Sequence, residues 1–235
     1  MHVWIVQTGE PLPCDEGVSR GMRAMNAAKY LVDAGHRVTL WSSDFFHQEK
    51  RHRYGQSKTI KISKLLTVRL IPSCGYLKNV SLKRFKDHKQ LAKNFLEEIT
   101  KESLPDVALV GFPPIEIAHA AVTYLKSKNV PVLLDVKDQW PDVFSDGVPP
   151  IGMKVAKFLL RRLHKQSVDT MKKATSLSAM SVGFLEWAAE RAGRSVTTQD
   201  LVCPLTTPTP IVSGEELAQA SSWWRDRGIK KTEKL

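Results

Sequence analysis

An α/β fold built on a mostly parallel sheet, with helices on both faces, is what this sequence predicts, and three observations carry it. Short apolar runs of strand type alternate with helical patterns along most of the chain, beginning with a strand, helix, strand unit between Val3 and Trp41. Residues that break regular structure stand where the pattern changes type, as Gly35 and Pro105 do. The composition, 42% hydrophobic and 25% charged over 235 residues, is that of an ordinary folded protein with enough chain to bury a core, which excludes collagen-like and disordered classes.

Each element can be justified in order. Val3 to Val6 is an apolar strand, followed by a loop with glycine and proline from Thr8 to Gly17 and a helix from about Ser19 to Ala34. Gly35 can end that helix in the left-handed conformation, and His36 to Trp41, rich in β-branched and aromatic residues, returns as a strand. A polar, basic stretch begins at Phe45, with strands expected at Thr59 to Ile62 and Thr67 to Ile71. The helix expected from Leu82 to Lys101 places Phe85, Ala92, Phe95, Leu96 and Ile99 at helical spacing, with Lys86, Lys89 and Lys93 on another face. Pro105 introduces a buried-type strand, Val107 to Val110, and a helix from Ile115 to about Lys126 leads to the strand Val130 to Leu134. Beyond Pro149 and Pro150 a basic amphipathic helix is expected from Gly152 to His164, with a second segment to Lys173. The strand Ser176 to Met180, a short helix Gly183 to Ala192 and a small strand Asp200 to Val202 follow. Pro204 to Pro210 has linker composition, and Ser213 with Glu216 forms a capping-box pattern opening a closing helix to about Arg227.

Lys and Arg number 35 against 24 Asp and Glu, a net charge of +11, so the surface should attract anions: phosphorylated ligands, an anionic membrane face or nucleic acid. Cys14, Cys74 and Cys203 are odd in number and far apart, which gives neither a disulfide framework nor a Cys-x-x-Cys site and fits a reducing compartment. The seven histidines have no metal-binding spacing, and no metal is expected. No signal peptide or membrane span is read, so the expected location is cytoplasmic.

In a sheet of this kind ligands bind beyond the carboxyl ends of the strands, where loops and helix N-termini converge. Two loops stand out. The first, Gly9 to Gly21, lacks a dinucleotide or Walker fingerprint, yet Gly17 would let backbone approach a phosphate, with Arg20 and Arg23 adding positive charge. The alternative is that Asp15, Ser19 and the glycines shape a turn and cap a helix. The second loop, Asp135-Val136-Lys137-Asp138-Gln139-Trp140-Pro141-Asp142, delivers carboxylates, an ammonium group and an indole to a strand end. Carboxylates suit sugar hydroxyls, Trp140 suits a sugar face and Lys137 a phosphate; in the alternative Asp135 and Asp138 form turns and Trp140 seals the sheet.

These residues have a family likeness. Ala34 to Leu40 resembles the Gly-His-x-Val-x entry into the second strand of family-four retaining glycosyltransferases. Asp135 to Pro141 is similar to the Asp-x-Arg-Asp-x-Trp-Pro segment of their bacterial polysaccharide-assembly branch, and Met180 to Phe184 to the Val-Ser-x-x-Phe that ends their first domain. The resemblance runs over nearly the whole chain. It implies the Rossmann-like, acceptor-binding half of a GT-B architecture at 1–203, with 204–235 as linker and closing helix toward a C-terminal donor-binding domain in the same or a separate chain. The implied activity is transfer of a sugar, with retention, from a nucleotide-sugar to a lipid-linked polysaccharide precursor, without a cofactor and without nucleic acid as partner.

The resemblance also assigns residues. Gly17, with Arg20 and Arg23, would lie beside the donor diphosphate, Asp138 would be catalytic, and Asp135, Lys137 and Trp140 would bind acceptor. Two positions depart from the family pattern: Glu16-Gly17 stands where many relatives have two glycines, and Lys137 where many have His or Arg. The family's Glu-x7-Glu donor motif is not reproduced at Glu215 and Glu216, so the chain alone is expected to be inactive. Lys154, Lys157, Arg161 and Lys165 recur along one helical stripe, repeated by Lys83, Lys86, Lys89 and Lys93, and predict peripheral contact with the inner face of an anionic membrane. The competing reading from charge is a non-catalytic basic binding domain for membrane or nucleic acid.

Overall fold

The computed structural model describes residues 1–15, 21–79, 81–143, 150–205 and 213–228, with backbone only over 150–159. In chain order the elements are β1 (His2–Val6), α1 (Arg23–Asp33), β2 (Arg37–Ser43), β3 (Phe45–Phe46), β4 (Arg51–His52), β5 (Lys58–Lys61), β6 (Leu66–Ile71), α2 (Leu82–Ile99), β7 (Val107–Phe112), α3 (Ile115–Ser127), β8 (Val132–Val136), α4 (Pro150–Lys173), β9 (Ser176–Ala179), α5 (Val182–Arg191), β10 (Leu201–Val202) and α6 (Gly214–Arg225). The chain divides into two compact units, Met1–Pro204 and Leu205–Leu235.

The first unit is an eight-stranded sheet in the order β10-β9-β8-β7-β1-β2-β6-β5. Every neighbouring pair is parallel except β5 and β6. Strand β1 is buried along its whole length because both of its faces are covered. Alternation of side chains sorts the core. Val3, Ile5, Val38, Leu40, Leu66, Val68 and Leu70 pack with Ala24 and Ala28 of α1, while Trp4, Val6, Trp41, Val110, Leu134 and Leu177 pack with Phe95, Val122, Met171 and Leu185 of α2 to α5. Trp4 and Trp41 meet edge to face at 5.2 Å, and Trp41 meets Phe95 at 5.6 Å, which closes the centre of that second layer.

Helix α1 ends as its sequence predicts: Gly35 has φ +82, and the N–H groups of Gly35 and His36 donate to the carbonyls of Val32 and Leu31. Four features differ from expectation. Helix α1 begins at Arg23, because Gly21 and Met22 are not helical and Met22 caps it in extended backbone. The two helical segments expected between Gly152 and Lys173 are one helix, α4. The polar stretch after Phe45 folds as an antiparallel ribbon, β3 with β4, fastened by Asp44, whose buried carboxylate accepts from the N–H groups of Tyr54 and Gly55. On α2 it is Leu91 that enters the core, while Leu96 is 39% exposed.

The second unit contains α6, which opens with the predicted capping box: Ser213 Oγ accepts from the Glu216 N–H, and Glu216 Oε2 accepts from the Ser213 N–H. No helix among the described residues is long and apolar enough to cross a membrane.

Near β10, Asp200 organises the sheet edge. Its carboxylate accepts from the N–H groups of Leu177 and Thr197 and, bidentately, from Arg194. Burial alone would raise its pKa, but the Arg194 guanidinium and these N–H groups hold the carboxyl far below its usual 3.8. A depressed folded-state pKa stabilises above the unfolded value and loses that contribution as pH falls below it. Asp200→Asn is therefore expected to cost about 1–3 kcal/mol near neutral pH and to flatten the loss of stability below about pH 4, measured by urea unfolding across that range.

Candidate functional site

The order of strands places a topological switch between β1 and β7: from β1 the chain winds outward through β2 and β6, then returns on the other side through β7, β8 and β9. Loops diverge at that point and leave a crevice beyond the carboxyl ends. A pocket of about 130 Å³ lies there, lined by Thr8 and Gly9 after β1, Ser43 at the end of β2 with Phe45 and His47 beyond it, Pro113 and Pro114 after β7, and Trp140 after β8. Tyr76 and the first turns of α2, with Arg84, Asp87, His88 and Leu91, complete it.

The walls are aromatic and the polar groups are partly buried. Phe45 and Tyr76 are 4.9 Å apart, and the Arg84 guanidinium lies 4.6 Å from the centre of the Trp140 ring. His47 Nδ1 is 2.6 Å from the Tyr76 hydroxyl and 3.0 Å from Lys50 Nζ. Burial, then the charges of Lys50, Arg84 and His88, hold the His47 pKa below the usual value, while burial raises that of Tyr76. His88 is 4% exposed and Glu116 6%, with 3.5 Å between Nδ1 and Oε2; His88 Nδ1 and Glu116 Oε1 have no hydrogen-bond partner among the described residues.

On the α1 side of the sheet lies a second constellation, a buried chain of alternating charge. Glu10 Oε2 accepts from the Ala24 N–H, so this carboxylate from the β1 loop caps α1, where the helix dipole favours it. Glu10 Oε1 accepts from Lys137 Nζ at 2.6 Å, and Lys137 Nζ is 3.9 Å from Asp135. Asp135, 3% exposed, pairs with Arg23 through Nε and Nη2, each at 2.8 Å, and accepts from Ser178 Oγ. Arg23 also donates to the carbonyl of Cys203.

The residues singled out from sequence therefore divide. Arg23 and Asp135, expected on donor phosphate and on acceptor, face each other inside the scaffold, because a buried carboxylate between strands needs a cation close by. Lys137 links Glu10 to Asp135 within this chain of charge. Trp140 lines the pocket, and Asp138, two residues before it, is half-buried with Oδ1 accepting from the Gln139 N–H. Gly17 and Arg20 lie outside the described residues, as do the side chains of Lys154 and Lys157, whereas Arg161 and Lys165 are exposed on α4. His47, Tyr76, Arg84, His88 and Glu10 were not anticipated. The strand-end rule applied to β2 and β6 as well as to β1 and β8 would have marked His47 and Tyr76.

Removing one partner of the buried chain leaves the other charge uncompensated. Arg23→Ala is expected to cost about 3–5 kcal/mol, and Arg23→Ala with Asp135→Ala less than Arg23→Ala alone, as read from urea denaturation midpoints.

No family model and no curated protein matches the sequence. Among solved structures the chain is similar to one of sucrose-phosphate synthase from Thermosynechococcus elongatus, at 11% identity, with a TM-score of 0.52, over 97% of this chain and 100% of that one. At that identity the likeness is one of fold: the chain has a Rossmann-like α/β fold matching that of a GT-B half.

Proposed function

We propose that the chain is the acceptor-binding half of a retaining glycosyltransferase of family four, which moves a sugar from a nucleotide-sugar to a lipid-linked polysaccharide precursor. The observation that carries this reading is the aromatic-walled pocket at the switch point of a GT-B half, formed in part by Trp140 of the Asp135 to Asp142 loop. Aromatic rings beside polar side chains suit a sugar ring, whose faces are apolar and whose edge carries hydroxyls.

In this reading Trp140 holds the acceptor and Asp138 accepts a hydrogen bond that orients the attacking hydroxyl; the bond from the donor sugar to the diphosphate breaks as the new bond forms on the same face, and the departing phosphate oxygen takes the hydroxyl proton. Lys137 sits 2.6 Å from Glu10 and transmits the position of the β1 loop to the Asp138 loop. The diphosphate that leaves is assigned to Gly17 and Arg20 by the family resemblance alone, and Arg23 and Asp135 act as positioning residues within the fold. The donor is bound by a C-terminal domain in the same or another chain. The test is transfer from a radiolabelled nucleotide-sugar to lipid-linked acceptor, with and without such a domain. Efficient transfer by the 235-residue chain alone would overturn the half-enzyme reading.

In the assembled enzyme Asp138→Asn is expected to lower turnover about a hundredfold or more with the melting temperature unchanged. Trp140→Ala should weaken acceptor binding and also cost about 3–5 kcal/mol of stability, since the ring is buried. Full activity of Asp138→Asn would make that loop structural.

The basic stripes fit contact with an anionic membrane at the inner face of the cell membrane. Lys83, Lys86, Lys89 and Lys93 are all exposed on α2, and Lys89, Lys93 and Arg162 line one apolar-walled groove between α2, α3 and α4. Each cation near such a surface adds about 1 kcal/mol of attraction, screened by salt. The Lys154, Lys157, Arg161 and Lys165→Gln variant is expected to co-sediment less with anionic vesicles at low salt; binding equal to the parent would remove this stripe as the contact.

A further inference from the structure

Among the described residues, cations that are buried or half-buried are almost all paired with carboxylates: Arg23 with Asp135, Arg53 with Asp15, Arg69 with Glu98 and Glu102, Lys137 with Glu10, Arg194 with Asp200. Two cations at the switch point depart from this: Arg84, which lines the pocket, and Lys50, which borders it through His47 and Tyr76. Lys50 Nζ has Asn79 Oδ1 at 2.6 Å, His47 Nδ1 at 3.0 Å and the face of Tyr76 at 4.9 Å. Arg84 donates to the carbonyl of Asn79 and lies against the rings of Tyr76 and Trp140, while its buried Nε has no hydrogen-bond partner among the described residues. No carboxylate among the described residues lies within ion-pair distance of either cation. The acids lining or bordering the pocket are engaged elsewhere: Asp87 accepts from the Gly75 N–H, and Glu116 faces His88.

The proton positions sharpen this. An ammonium group only donates, so His47 Nδ1, 3.0 Å from Lys50 Nζ, is the accepting nitrogen, and the ring is neutral with its proton on Nε2. That N–H is a further donor, on a residue that lines the pocket. His88, nine-tenths buried, with Nδ1 3.5 Å from Glu116 Oε2 and no hydrogen-bond partner among the described residues, lines it too. At about 130 Å³ the cavity falls below the roughly 300–1,000 Å³ that encloses a whole small-molecule ligand, so it is the size of a subsite for one group of a larger one.

Backbone geometry points the same way. Lys50 closes the β3–β4 turn at φ +55, in the left-handed region that favours glycine. A lysine there is conformationally costly and carries its ammonium group to a ring of the pocket.

We propose that Lys50, Arg84 and the Nε2–H of His47 form a phosphate subsite in this pocket, so that the ligand is a sugar phosphate or a diphosphate-linked sugar rather than a neutral glycan. This deepens the acceptor reading and rests on it for the sugar. The phosphate takes the place that a carboxylate fills beside the other half-buried cations, and charge-assisted hydrogen bonds from a planar guanidinium suit its oxygens.

The test is calorimetric titration of the full chain with inorganic phosphate, pyrophosphate, a sugar 1-phosphate, a short isoprenyl diphosphate in neutral micelles, and a neutral methyl glycoside. Binding of the phosphorylated probes at one site, weakened by salt, is expected. Arg84→Gln should weaken it about tenfold to a hundredfold and Arg84→Lys less, while Lys64→Gln, on the exposed β5–β6 turn, should leave it unchanged. Lys50→Gly guards against misfolding, because glycine relieves the left-handed backbone: it should keep or raise the melting temperature and still lose affinity. Tighter binding of the isoprenyl probe than of the sugar 1-phosphate would assign the phosphate to a lipid carrier, and the reverse order to a soluble sugar phosphate. Undiminished phosphate binding by folded Lys50→Gly and Arg84→Gln would overturn the subsite. Binding of the glycoside without any phosphorylated probe would overturn it too, yet leave the acceptor reading standing. Phosphate binding that no attached sugar improves would keep the subsite and remove the acceptor reading.

Discussion

The site depends on the buried chain of charge from Glu10 through Lys137 and Asp135 to Arg23. It joins the β1 loop, the first turn of α1 and the β8 loop, and through Ser178 and Cys203 it reaches β9 and the strand beyond. Alternation of sign makes such burial tolerable, since each charge has an opposite one close by, but the net gain from a buried ion pair is small. What the chain of charge confers is position. Gly9 and Trp140 line the pocket from either side, and they lie next to Glu10 and three residues beyond Lys137. The width of the pocket is therefore tied to a bond between Lys137 and Glu10.

That arrangement needs a gap in the sheet. Gly111 lies in β7, beside Asp135 of β8 in register, and a Cβ there would stand 1.7 Å from Gln7 Oε1. A glycine in a strand ordinarily weakens it and marks close approach of another group. Here the space is filled by the Gln7 side chain, whose amide donates to the Thr8 carbonyl at the point where β1 turns into the pocket loop. The same glycine lines the narrow space shared by Arg23, Asp135 and Lys137, so one missing side chain serves both the β1 turn and the ion pairs.

How far the sequence foretold this follows from the range of each interaction. Alternating β and α patterns, Gly35 as a helix end and Ser213 with Glu216 as a cap are local, and the structure has them. The β3–β4 ribbon was illegible, because what fastens it is the Asp44 carboxylate, which accepts from N–H groups ten and eleven positions on, and not an alternating apolar pattern. Asp135 was visible as chemistry but not as structure: its cation, Arg23, is 112 positions away, and nothing local distinguishes a carboxylate that meets ligand from one that meets arginine. Trp140 was legible in both respects, since an indole directly after a strand end packs at the crevice whether or not a sugar covers it. Arg84 was hidden among the lysines of α2, where periodicity alone reads every cation as solvated.

The position of Arg84 bears on what kind of acceptor the pocket would take. It sits in the first turn of α2, whose N-cap is Ser81, and lies against Trp140, while Lys83, Lys86, Lys89 and Lys93 of the same helix are exposed. One rigid element thus carries both the cation in the pocket and a row of cations on the surface. For a soluble sugar phosphate the outer row would be irrelevant beyond long-range steering. For an acceptor whose phosphate joins a sugar to a membrane lipid the coupling has a physical use, because a helix docked on anionic headgroups would fix the height of Arg84 relative to the bilayer. A phosphate held at a lipid headgroup and a pocket 130 Å³ in volume are then brought into register by a single helix, without any motion of the sheet.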